Sequence, residues 1–74
     1  MFKINGEYWR VILVPPDHPI LRRSQGGYTL GVCDDNEKAI FIHNNLPPDL
    51  FKKVLYHELT HAAMFSYNVV MTIQ

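Results

Sequence analysis

Two consecutive prolines, Pro47 and Pro48, divide the chain into two parts with different hydrophobic periodicity. In the segment PDLFKKVLYHELTHAAMFSYN, apolar residues recur every three to four positions, which is the period of an amphipathic helix. Proline suits the first turn of a helix, where its missing N–H costs nothing, and Asn68 is a typical end signal. The sequence therefore predicts one long helix over about residues 47–67. Its apolar arc is expected to contain Phe51, Val54, Leu55, Leu59, Ala62 and Phe65.

The part before the prolines consists of short segments rich in β-branched and aromatic residues. They cover about residues 7–14, 28–34 and 38–44, and the last two are separated by the turn-forming residues DNE. We therefore expect an α+β fold, with a small, mainly antiparallel three-stranded sheet packed on the helix. A chain of 74 residues is short enough for a single domain, residues 1–74.

Composition excludes several classes of protein. Hydrophobic residues make up 47% of the chain and charged residues 19%, which is typical of a globular domain. The formal net charge is zero, so no nucleic-acid partner is expected. No apolar run approaches the roughly 18 residues of a membrane span. The N-terminal residues lack the core of a signal peptide, and Cys33 alone cannot form an internal disulfide, so the expected location is the cytoplasm.

The predicted helix carries His57, Glu58 and His61 in the spacing H-E-x-x-H. Residues four apart on a helix project about 40° from each other, so both imidazoles can reach one Zn²⁺ ion. Glu58 points about 60° from His61, which suits a general base that activates water without binding the metal. Catalytic zinc normally has three protein ligands, and this motif supplies two of them.

The segment KVLYHELTHA, preceded by GGYTLGVCDDNEKAIFIHNNLP, resembles the HExxH zinc metallopeptidases of the gluzincin type, in particular the ImmA/IrrE-like proteins often encoded by phages and mobile elements. The resemblance implies a zincin-like fold in which His57 and His61 are zinc ligands and Glu58 is the catalytic base. That family supplies its third ligand as a glutamate on a following helix. No acidic residue follows Glu58 here, so the chain corresponds to a truncated zincin, or the site is completed differently, or it is inactive.

Several groups remain open as the third ligand. They are His43, His18, Asp17, the terminal carboxylate of Gln74, a missing C-terminal segment, and a second copy of the chain in a homo-oligomer. The first functional hypothesis is a zinc-dependent peptidase acting on a protein or peptide substrate, which would pair with strand 38–43 if that strand forms an edge. The second is a non-catalytic zinc-binding or protein-interaction module.

Overall fold

A computed structural model describes residues 1–67, which form a small α+β unit with a four-stranded mixed sheet and one α-helix. The helix, α1, runs from Pro48 to Ser66, with Pro47 and Tyr67 as its flanking cap residues, so the prediction of a helix over about 47–67 is confirmed. Among the described residues, no helix is long and apolar enough to cross a membrane. The strands are β1 (Phe2–Ile4), β2 (Glu7–Val14), β3 (Gly31–Asp34) and β4 (Ala39–His43), and a short 3-10 helix spans Pro19–Leu21.

The sheet differs from the predicted one in strand number and in pairing. Its order is β1-β2-β4-β3, with β1 antiparallel to β2, β2 parallel to β4, and β4 antiparallel to β3. The expected sheet was mainly antiparallel with three strands, whereas the observed sheet has four strands and is mixed, because its central pair is parallel. The chain from Pro15 to Leu30 crosses from β2 to the far edge of the sheet, and this crossover lets β4 return between β2 and β3 in parallel with β2.

The fourth strand, β1, comes from a tight hairpin at the N-terminus. Asn5 and Gly6 form its two-residue turn with φ values of 49° and 82°, as an Asn-Gly turn requires. The hairpin is tied to the end of α1: the Asn5 Nδ2 group donates to the Ser66 carbonyl at 2.8 Å, and the Trp9 indole Nε1 donates to the Ser66 hydroxyl at 3.0 Å. These bonds fix the sheet against the C-terminal turn of α1.

The core lies between α1 and one face of the sheet. Trp9, Ile40, Ile42 and Ala62 form its buried centre. Period-2 alternation explains why Ile40 and Ile42 share this face, while Phe41 points away from it. The predicted apolar arc of the helix is confirmed for the residues that pack here, Phe51, Val54, Leu55, Leu59 and Ala62, whereas Phe65 is 49% exposed.

Candidate metal centre

His57 and His61 are brought together on one side of α1. Their Nε2 atoms are 3.2 Å apart, and their ring centroids are 4.8 Å apart with the ring planes at 74°. The rings therefore converge through their Nε2 atoms. His57 is exposed and His61 is half-buried, so the pair lies where the helix meets solvent.

This separation of nitrogen atoms fits a shared zinc ion. Two nitrogens at the usual zinc distance of about 2.0–2.1 Å, placed at a tetrahedral angle, are about 3.3 Å apart. The observed 3.2 Å is close to that value. The same separation also permits a hydrogen bond between the rings when one Nε2 atom carries a proton. Neutral imidazoles are good zinc ligands, so the donor chemistry fits as well.

Glu58 lies deeper than the two histidines. The residue is only 7% exposed and faces β3, where the α-carbon of Gly31 approaches the helix. A Cβ atom added at Gly31 would lie 3.2 Å from Glu58 Cγ, 3.4 Å from Glu58 Oε2 and 2.6 Å from Val54 Cγ1. The glycine therefore leaves the space that the Glu58 side chain occupies. A glycine within a strand sequence indicates that another part of the chain approaches closely. The sequence therefore indicates a close approach at Gly31, but it does not reveal which residue approaches.

The charge of Glu58 also affects Cys33, which lies on β3 with Gly31. Burial is the main cause that raises the pKa of the Cys33 thiol from 9.0 to about 11, and the negative charge of Glu58 is the next. Asp35 and Asp34 add to the rise. The thiol therefore stays protonated at neutral pH.

No third ligand joins the two histidines within residues 1–67. In that range no group of three or more His, Cys, Asp or Glu side chains is arranged to hold a metal ion. His43 and His18 each use Nδ1 to accept a local backbone N–H, from Asn45 and Ile20 respectively, both at 3.0 Å. The carboxylate of Gln74, the remaining candidate at the chain end, lies outside the described residues.

The edge strand beside Glu58 is β3. The condition under which strand 38–43 would pair with a peptide is not met, because β4 lies between β2 and β3. The His43 N–H donates to the Leu30 carbonyl at 3.0 Å, so residue 30 turns its polar backbone groups toward β4. In an antiparallel pair, successive residues point their backbone N–H and C=O groups alternately toward the partner strand and away from it. The N–H and C=O groups of Gly31 and Cys33 therefore face the outer edge, next to Glu58.

Comparison with known proteins yields no significant match to a family model, to a curated protein or to a solved structure.

Proposed function

We propose that this protein is a zinc-dependent metallopeptidase with a zincin-like arrangement of helix and sheet. The observation that carries the proposal is the 3.2 Å separation of the His57 and His61 Nε2 atoms, which suits two ligands of one zinc ion. A carboxylate follows the first histidine directly, as the chemistry of a hydrolase requires. The H-E-x-x-H spacing and the converging rings are independent supports, since the spacing alone does not fix the rotamers.

Each residue has a distinct role in this proposal. His57 and His61 would hold the ion by their Nε2 atoms, and Glu58 would take a proton from the attacking water and return it to the leaving amine. Zinc, when bound, polarises the substrate carbonyl and lowers the pKa of a bound water toward neutrality. No hydrogen bond within residues 1–67 uses the Glu58 carboxylate, so its lone pairs are available to accept that proton. The third ligand comes from outside residues 1–67.

The substrate in this proposal is an extended peptide paired with the outer edge of β3. The outward N–H groups of Gly31 and Cys33 and the Cys33 carbonyl offer backbone hydrogen bonds to a peptide, whereas the Gly31 carbonyl already accepts the Thr29 hydroxyl at 3.4 Å. Pairing through backbone groups is insensitive to side chains, so this edge accepts a protein segment of many sequences. It also places the peptide beside Glu58, which packs against the same strand.

A non-catalytic zinc-binding or protein-interaction module is the second candidate. The observation that favours it is the absence, within residues 1–67, of a third side chain that completes the metal site. Two histidines from each of two chains make a closed four-coordinate site, which is the form of a structural zinc centre. This candidate shares the ligands with the peptidase but gives Glu58 no chemical role.

The test compares the wild type with Glu58→Gln. Both proteins are loaded with zinc, and metal content and cleavage of an unstructured protein such as casein are measured. Glutamine keeps the size of the side chain but cannot accept the proton, so zinc content should be unchanged and cleavage should fall by about 100-fold or more. His61→Ala is the matched control, because it should lose both zinc and cleavage.

Equal cleavage by wild type and Glu58→Gln would exclude Glu58 as the base. Zinc bound at full occupancy without cleavage in the wild type would favour the interaction module. Zinc content that is the same in His61→Ala as in the wild type would overturn the metal centre itself.

A further inference from the structure

A second site is formed by the loop that follows the 3-10 helix. Residues Pro19, Arg22, Arg23, Ser24 and Gly26 line an open cavity of about 480 Å³. This volume is within the range of about 300–1,000 Å³ that is usual for small-molecule sites. The lining contains two arginines and no acidic residue, and both ion pairs found among residues 1–67 belong to Lys38 instead.

The loop is held in shape by its own backbone. The Arg22 N–H donates to the Pro19 carbonyl at 3.1 Å, the Arg23 N–H to the Gly27 carbonyl at 3.0 Å, and the Gly26 N–H to the Arg23 carbonyl at 3.1 Å. Gly26 and Gly27 supply φ values of 95° and 76°, which only glycine adopts without strain. The cavity is therefore lined by a tight, closed turn.

The unused donors of this turn match an oxyanion. Within residues 1–67, no backbone or side-chain acceptor receives the N–H of Ser24, which lies between the two anchored positions. Backbone N–H groups in turns bind anions, and in this turn the Ser24 N–H is such a donor. Arg22 and Arg23, both exposed, line the cavity and carry guanidinium groups. Guanidinium groups are planar, charged donors that suit phosphate, whose charge at neutral pH is about −1.5 to −2.

We infer that this arginine cavity binds the phosphate group of a small molecule. The charges favour a phosphate over a carboxylate, since two guanidinium groups balance a dianion rather than a single negative charge. The cavity is larger than a bare phosphate ion, so it leaves room for an organic part beside Pro19. This inference is independent of the zinc site.

The experiment is a titration of the zinc-free full chain, followed by the amide resonances in ¹⁵N-¹H correlation spectra. The probes are inorganic phosphate, glucose 6-phosphate and, as a control, glucose. We expect saturable shifts at Ser24 and Gly26 with both phosphates and none with glucose. Tighter binding of glucose 6-phosphate would identify an organic phosphate as the ligand, and equal binding would identify the free ion.

The matched variants are Arg22→Gln/Arg23→Gln and Lys52→Gln/Lys53→Gln, which remove the same charge from the loop and from the exposed side of α1. The arginine variant should bind phosphate at least about tenfold more weakly, and the lysine variant should bind as the wild type does. Unshifted resonances of β2 and of the C-terminal half of α1, which are remote in sequence from both pairs of substitutions, show that each variant is folded. Equal weakening in both variants, or no saturable shift up to about 10 mM phosphate, would overturn the inference.

Discussion

At the scale of single residues, the environment of Cys33 reports on the charge of Glu58. The thiol pKa is raised from 9.0 to about 11, first by burial and then by the Glu58 carboxylate. At pH 8 the thiolate fraction is therefore roughly 100-fold lower than in an unperturbed cysteine. We expect iodoacetamide to alkylate folded protein about 100-fold more slowly than urea-unfolded protein, measured by mass spectrometry.

The Glu58→Gln variant is the control for this Cys33 prediction. Removing the charge should speed alkylation, while burial keeps the rate below that of the unfolded chain. The thiol of the unfolded chain loses its proton at lower pH than the thiol of the folded protein. The free energy of unfolding should therefore decline as pH rises from 9 toward 11. Cys33→Ala should lack that decline. Equal alkylation rates in folded and unfolded protein would contradict the prediction.

The two histidines show what a sequence reveals at this scale. The spacing of His57 and His61 predicts that their rings lie on neighbouring turns of one helix face. In the structure their Nε2 atoms are 3.2 Å apart. The burial of Glu58 could not be predicted in this way. Its burial depends on Gly31, a residue 27 positions away on a strand, and helical periodicity carries no information about which strand covers a helix face.

At the scale of secondary-structure elements, the contact between α1 and β3 depends on one missing side chain. An alanine Cβ at position 31 would lie 2.6 Å from Val54 Cγ1, and the branched valine has little freedom to move away. Overpacking of this kind costs about 1–3 kcal/mol, more than the about 0.4–1 kcal/mol that Gly→Ala gains through the unfolded chain. We therefore expect Gly31→Ala to lower the free energy of unfolding, measured by urea denaturation.

The double variant Gly31→Ala/Val54→Ala tests the cause of that loss. Removing the Val54 methyl groups makes room for the new Cβ, so the two changes together should cost less than the sum of the single changes, by about 1 kcal/mol. Simple additivity would show that the helix and strand do not press on each other at this point.

The element-level predictions succeeded where a segment carries its own signal. Residues 7–14 form β2 as predicted, and the polar residues between β3 and β4 do form a hairpin, in which Asp34 accepts the N–H groups of Asn36 and Glu37. The Asn5-Gly6 turn is a similar local signal that was overlooked. The parallel pairing of β2 with β4 has no such signal, because it depends on the path of a long connection.

At the scale of the whole molecule, the core is small. Its buried centre in the described residues is one tryptophan, two isoleucines and one alanine between a single helix and one face of the sheet. Domains of this length bury only about 60% of their unfolded surface and are marginally stable. Zinc bound as proposed would therefore add a large share of the stability. The opposite face carries the half-buried side chain of Phe41 and the buried side chain of Leu21 from the 3-10 helix.

Zinc stoichiometry distinguishes the two candidate functions at this scale. A peptidase keeps one coordination position open for water, so we expect one zinc per chain, measured by metal analysis together with the chain mass from sedimentation velocity. A structural module sharing four histidines between two chains would instead bind half a zinc per chain and dimerise on zinc addition.

At a free zinc concentration 100 times Kd, binding stabilises the folded state by about 2.7 kcal/mol, which a rise in Tm should report. His57→Ala/His61→Ala removes both ligands and should show neither the binding nor the rise in Tm. A dimer with half a zinc ion per chain would contradict the peptidase, because the closed site would leave Glu58 no water to activate.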